Sequence, residues 1–209
     1  MVKIFGICAL FCAVALVTSR DVNHPDYEND IYPLELLEKF PYYLSGYDNE
    51  GSPVWVMEFG KWDVRALVEA GGDLRWAFDS YMEAAWQRMV LSGQNKGGFN
   101  LIFNLDEYDP QQARHLDTLY TIINNFGMKF GQAVKTTDLK RLFVLHENTE
   151  FDPIWKLNLN FWGELGQQVE IYGNNKDVYI PRLLSLIRRT ELPQHYGGIG
   201  SRWPAQIYG

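Results

Sequence analysis

The chain has little with which to brace itself from outside. Cysteine occurs only twice in 209 residues, at Cys8 and Cys12. Two cysteines cannot make a disulfide-stapled scaffold, so the fold must be held by its core. No N-x-[ST] acceptor is present, and N-glycosylation is not expected. Basic residues are outnumbered, with 19 Lys and Arg against 26 Asp and Glu for a net charge of -7. That balance argues against a nucleic-acid partner, because phosphate contacts need clustered Lys and Arg. The motifs of common enzymes are missing as well. There is no G-x-S-x-G elbow, no phosphate loop, no H-E-x-x-H and no cysteine-based metal or redox pair, so neither catalysis nor a catalytic cofactor or metal is expected. The glycine-rich stretch from Gly197 to Gly200 has no strand leading into it and is a weak nucleotide signal. Core material is plentiful, at 46% hydrophobic and 15% aromatic residues. This excludes a disordered or collagen-like chain, and the length suits one domain.

The first nineteen residues differ from the rest. Lys3 is the only charge before Arg20, and an apolar run ends in small residues at Val17 and Ser19. A short basic start, an apolar stretch and a small-residue site describe a secretory signal peptide. The run is shorter than the ~20 apolar residues of a comfortable transmembrane helix, although a signal anchor is the alternative. Cleavage after Ser19 would remove both cysteines. Residues 20–33 are polar, carry Pro25 and Pro33, and read as a lead-in segment to a domain over residues 34–200. Residues 201–209 read as a tail, a strap lying on the fold.

Between these ends, strands and helices alternate. Val54–Phe59 is β-branched and aromatic after a turn over residues 48–53, and predicts a strand. Apolar residues at Leu74, Phe78, Tyr81, Met82, Ala85, Trp86 and Met89 recur at helical spacing, with Asp73 as expected N-cap. Phe99–Leu105 is a second strand. Asp109 and Pro110 open a helix expected to run to about Val134, with Gly127 and Gly131 one turn apart where another element can approach closely. Leu139–Leu145 is a third strand, Asp152 and Pro153 open a further helix, Val169–Tyr172 is a short fourth strand, and Pro181–Arg189 a last helix. This alternation implies an α/β domain with a mainly parallel sheet.

Candidate chemistry is sparse. The cluster Asp106, Glu107 and Asp109 reads better as a strand end followed by a capped helix than as a metal or acid/base site. His146 and Glu147 read better as a polar strand end than as a catalytic dyad, His195 sits in a Pro/Gly turn without an evident partner, and His24 and His115 read as surface residues. The informative segment is FDPIWKLNLNFW, from Phe151 to Trp162. An ordinary surface helix carries one apolar stripe. Here Phe151, Ile154, Trp155, Leu159 and Trp162 make one, and Leu157 and Phe161 extend it to a second side. Such a helix is either buried within the core or a lid, with one side on an apolar cavity and the other able to meet lipid. Asn158 and Asn160 need hydrogen-bond partners if buried.

Five segments in order resemble the lipid-binding domain of the CRAL-TRIO, or Sec14-like, family. FPYYLSGYDNEGSPVW, from Phe40 to Trp55, is similar to the opening strand with its Y-D-x-x-G-x-P-V turn. Ile102–Asp106 resembles the central strand, Leu139–Asn148 the L-K-x-x-x-x-x-N strand, Ile171–Asn175 the next strand end, and LPQHYGG, from Leu192 to Gly198, the closing L-P-x-E-Y-G-G. The resemblance spans about Tyr32 to Gly198. It departs from the family pattern at Asn104, where Asp is usual, at Asp106, where Glu is common, and at His195, where Glu is usual. No counterpart of the helical subdomain that normally comes first is expected, with the apparent signal peptide standing in its place.

The resemblance implies an α/β fold whose mainly parallel sheet floors a hydrophobic pocket closed by a helical gate, the gate corresponding to Phe151–Trp162. It implies a bound hydrophobic ligand touching Tyr81, Trp86, Phe103, Leu105, Ile123, Phe126, Phe130, Phe143, Leu145, Phe151, Ile154, Trp155, Asn158, Leu159 and Trp162. Strand alternation puts Phe103 and Leu105 on one face. Lys176, Arg182, Arg188 and Arg189 lie in the segment similar to the basic, phosphoinositide-facing side of some members, so transient membrane contact is expected. With the signal peptide, the expectation is a secreted carrier of a lipid, tocopherol, retinoid or carotenoid. The alternative is an intracellular, membrane-docking phospholipid or phosphoinositide transfer protein. Burying one CH₂ is worth ~0.8 kcal/mol, so a chain of ~16 carbons offers roughly 13 kcal/mol gross, enough for binding without a charged anchor.

Overall fold

A computed structural model describes residues 32–147 and 151–199 and the backbone of residues 206–208. The expected signal peptide, with Cys8, Cys12 and His24, and nearly all of the lead-in segment lie outside the described residues. A six-stranded sheet has the order β5-β4-β3-β2-β1-β6. Its strands are β1 Tyr42–Tyr47, β2 Pro53–Met57, β3 Phe99–Asn104, β4 Leu139–Leu145, β5 Val169–Ile171 and β6 Gln206–Tyr208. β2 to β5 run parallel to one another, while β1 is antiparallel to both β2 and β6. The tail expected as a strap therefore contributes an edge strand.

The helices are α1 Leu34–Lys39, α2 Val64–Ala70, α3 Gly72–Gly93, α4 Leu116–Ile122, α5 Phe130–Ala133, α6 Asp152–Trp162 and α7 Lys176–Leu186. The sheet separates two apolar clusters. On one face, Trp55, Met57, Leu101, Phe103, Leu105, Leu142 and Val144 meet α1 to α6. On the other, Val54, Val56, Ile102, Phe143 and Leu145 meet Tyr179 and Leu183 of α7. Both faces of β2 to β4 are thus covered, as a parallel sheet requires.

Several boundaries differ from the sequence reading. Gly71 occupies the cap of α3 and Asp73 lies in its first turn, because Gly71 and Gly72 take the positive φ values of 62° and 59° needed to turn directly out of α2. Asp109 does cap, accepting from the Gln111 amide, but it starts a short 3₁₀ turn that stops at His115. α4 follows, then a π-helical stretch over Ile123–Lys129, then α5. Phe151, not Asp152, is the cap of α6. The last helix starts earlier than expected, because the Asn175 side chain caps it by accepting from the Asp177 amide, and it carries Pro181 in its interior. Ile187 is extended and bridges to Asp48, so Arg188 and Arg189 fall beyond the helix.

The Y-D-x-x-G-x-P-V turn owes its shape to Asp48. Its Oδ1 accepts from the amides of Glu50 and Ser52, and its Oδ2 from Asn100 Nδ2 at 3.0 Å and Lys140 Nζ at 2.7 Å. Burial would raise this carboxyl, but those bonds outweigh it and hold it below the usual range.

Candidate functional site

β3 and α6 face each other across the aromatic cluster. A cavity of about 10 Å³ remains between them, lined by Trp86, Leu101, Phe103, Phe126, Phe130, Leu142, Trp155 and Trp162. That is room for no more than one water molecule, so this conformation is closed. The gate helix buries Ile154, Trp155, Asn158 and Trp162, while Leu159 is half-buried. Leu157 and Phe161 remain 40% and 41% exposed. The second apolar side foreseen in the sequence is therefore an outer edge. Asn158 is buried and Asn160 exposed.

Two fastenings hold α6, the expected gate. Trp162 Nε1 donates to the carbonyls of Phe126 at 3.0 Å and Gly127 at 3.1 Å, both in the π-helical stretch. Trp86 Nε1 donates to the next carbonyl back, Asn125, at 3.2 Å. The π register changes backbone pairing locally, and these indoles take up its carbonyls from two sides. The second fastening is the glycine pair. A Cβ on Gly127 would fall 2.6 Å from Asn158 Oδ1, and one on Gly131 would fall 2.9 Å from the Phe161 carbonyl oxygen. The close approach anticipated from the glycine spacing is thus the seat of α6.

Of the expected ligand-contacting residues, Trp86, Phe103, Phe126, Phe130, Trp155 and Trp162 line the cavity. Phe151 and Ile154 belong to the same apolar cluster, as does Leu105 beyond the end of β3. Phe143 and Leu145 do not reach it. Phe143 pairs with Ile102, the residue before Phe103, and so faces α7 instead. Tyr81 belongs to the same apolar cluster as Phe103 but does not line the cavity. It lies against Tyr42 and donates its hydroxyl to the Phe40 carbonyl at 2.8 Å. Ile123 is buried without lining the cavity, where Phe126 of the π stretch and Phe130 at the start of α5 stand instead. Leu101 and Leu142 were missed, although period-2 alternation from Phe103 reaches Leu101 directly.

The polar residues singled out earlier meet on the opposite face. Glu58 Oε1 accepts from Tyr43 and Tyr196, each at 3.0 Å, and lies 3.1 Å from His195 Nε2. Its Oε2 accepts from Asn104 Nδ2 at 2.7 Å. Burial would raise this carboxyl, but the bonds from His195, Asn104 and Tyr196 bring it down to about 2. Asn104 Oδ1 lies 2.7 Å from His146 Nδ1, and His146 Nε2 lies 3.2 Å from the Tyr179 hydroxyl. Since the Asn104 amide group donates to Glu58, its oxygen must accept, which puts the proton on His146 Nδ1. Burial lowers the His146 pKa and favours that neutral form. His146 is therefore part of a hub rather than an isolated strand end, and His195 has a partner after all. Asn104 and His195 stand where Asp and Glu are usual in the family, and here both supply hydrogens to Glu58 where carboxylates would repel it.

The expected basic patch is only partly free. Arg182 is tied to Glu170 by two bonds of 2.8 and 2.7 Å, and Arg141 joins at 3.1 Å. Lys176, Arg188 and Arg189 are exposed. Asp106 and Glu107 are exposed at the end of β3, and His115 is half-buried, 2.9 Å from Thr118 Oγ1.

A profile of the CRAL/TRIO domain matches residues 37–198. The chain belongs to this family. Among individual proteins, it is 23% identical over 183 residues to the phosphatidylinositol/phosphatidylcholine transfer protein SFH7 of Arabidopsis thaliana, covering 79% of this chain and 30% of that one. The chain thus spans about a third of the length of this relative. The crystal structure of Sfh5 aligns with a TM-score of 0.46 at 10% identity, over 69% of this chain and 50% of that chain. Among the described residues, no helix of this CRAL/TRIO domain is long and apolar enough to cross a membrane.

Proposed function

We propose that this CRAL/TRIO domain is a carrier that takes a hydrophobic small molecule between β3 and α6, with α6 as the gate, and that it works outside the cell. The ligand is a lipid, tocopherol, retinoid or carotenoid. The observation that carries this reading is the character of the closed cavity. All eight lining side chains are apolar or aromatic, and the helix over it is held by two indole hydrogen bonds and a glycine seat. A helix fastened at a few points can lift, and lifting it would expose the aromatic floor to a ligand. Secretion rests on the pattern from Lys3 to Ser19.

A second reading, phospholipid transfer at an intracellular membrane, is favoured by the name of the Arabidopsis relative. The exposed Leu157 and Phe161 at the gate edge, with exposed Lys176, Arg188 and Arg189, suit membrane contact in either case. One preparation separates the two. Protein recovered from its natural source should begin at or near Arg20, and organic extraction followed by mass spectrometry should release one hydrophobic species in near-stoichiometric amount. An intact Met1 form in the cytosol, carrying phospholipid, would establish the second reading instead. No extractable species from either compartment would remove the carrier function.

A further inference from the structure

The cavity between β3 and α6 has three indoles in its lining, and they are not equivalent. Trp86 and Trp162 each spend their N–H on a carbonyl of the π-helical stretch. Trp155 is 2% exposed and its Nε1 has no hydrogen-bond partner. Buried donors are nearly always paired, so an orphan is a specific demand for an acceptor. Two more neutral polar atoms near the gate share this condition. The Tyr108 hydroxyl is buried without a partner, with its ring 5.0 Å from Phe151 and stacked on Phe59. Asn158 Oδ1, one helical turn beyond Trp155, is buried and unpartnered as well. None of the eight residues lining the cavity is charged. Burial also pushes the Tyr108 phenol upward, so it stays neutral.

We propose that the ligand is an uncharged lipid bearing an oxygen function (ester, carbonyl or hydroxyl), whose oxygen accepts from Trp155 Nε1, and that lipids with an ionised phosphate are not held in this pocket. This rests on the reading above that the ligand lies between sheet and gate. The apolar body of the ligand gains from leaving water whatever its head group. The head group decides the rest. A neutral oxygen finds a donor that otherwise stays unsatisfied. A phosphate would have to shed its water against aromatic rings with no cation to receive it, which buried charges do not tolerate. Trp155 is thus a specificity-determining residue, distinct from Trp162, which fastens the gate.

The test is competition against diphenylhexatriene, an apolar fluorescent hydrocarbon, with three probes on the full chain: hexadecane, methyl palmitate and dipalmitoyl phosphatidylcholine. Methyl palmitate should bind about tenfold more tightly than hexadecane, the size of one neutral hydrogen bond restored to a buried donor. Phosphatidylcholine should compete least. Trp155→Phe keeps the apolar bulk and removes the N–H, so it should bring the ester-to-hydrocarbon preference close to one with hexadecane affinity little changed. The parent comparison needs no variant, and equal binding of ester and hydrocarbon by the parent would overturn the proposal. So would an undiminished preference in Trp155→Phe, or phosphatidylcholine competing as well as the ester. If diphenylhexatriene itself does not bind, the pocket reading fails, and this inference falls with it.

Discussion

The two faces of the sheet solve the same packing problem in opposite ways. Toward α7, an aliphatic core of Val54, Val56, Ile102 and Leu183 is closed at each end by a carboxylate hub. Asn100, at the start of β3, donates to Asp48, and Asn104, at its end, donates to Glu58. Tyr43, Tyr179 and Tyr196 all find partners there. Toward α6, the core is a pile of aromatic rings, among them Phe103, Phe126, Trp155 and Trp162. On that side Trp62 Nε1, the Tyr108 hydroxyl, Asn125 Oδ1, Trp155 Nε1 and Asn158 Oδ1 lack partners. A face that satisfies its polar groups is built to stay. A face that leaves several unsatisfied is closed less firmly, which suits the gate proposed for α6.

The largest expected effect breaks the settled face. Glu58→Leu would strand the hydroxyls of Tyr43 and Tyr196 and the Asn104 amide, and should cost ~3–5 kcal/mol in urea unfolding. Pocket affinity in the surviving folded fraction should change little, and a milder Glu58 loss than a gate loss would invert the comparison. Its pH signature follows from the depressed carboxyl, at about 2 against an ordinary 4.5. The hub's contribution is fully present above about pH 5 and is lost as pH falls toward 2, up to ~3 kcal/mol. Glu58→Gln should flatten that part of the acid limb.

A smaller effect is expected at the glycine seat. Gly131→Ala puts a methyl against the backbone oxygen of Phe161, and no side-chain rotation can relieve it. α6 must shift, so closure should weaken by ~1–2 kcal/mol and a fluorescent lipid should exchange several-fold faster in stopped-flow measurements. Global unfolding should move less than for Glu58→Leu. An unchanged exchange rate would mean that α6 is fixed core. The smallest effect lies on the outer surface. Exchanging Arg188 and Arg189 for Gln should weaken binding to anionic vesicles by no more than ~1 kcal/mol each, most visibly at low salt. Arg182→Gln should instead lower stability by freeing Glu170, with vesicle binding nearly unchanged.

How much of this was legible in the sequence depends on whether the signal was local. The strands from Val54 and Phe99, the gate segment and the Gly127–Gly131 approach all carry their own spacing. Phe103 was oriented correctly by alternation, but Phe143 was not. β4 is apolar from Leu142 to Leu145 because both its faces are buried, and a continuous apolar run has no alternation to show which side faces which. Only its register against β3 decides that. His195 and Glu58 are separated by 137 positions, so no local pattern could have paired them. The π stretch resembles ordinary helix in sequence, and its carbonyls matter only because two indoles reach them.

β6 has a consequence for how the chain matures. Gln206–Tyr208 pairs antiparallel with the segment Tyr42–Leu44, more than 160 positions earlier. During synthesis, the outer flank of Tyr42–Leu44 therefore waits with unpaired amides and carbonyls until the rest of the sheet has left the ribosome. An exposed strand edge recruits other strands. For a nascent chain this is the interval in which a chaperone is most useful, and a ribosome stalled before Gln206 would present that flank to its neighbours.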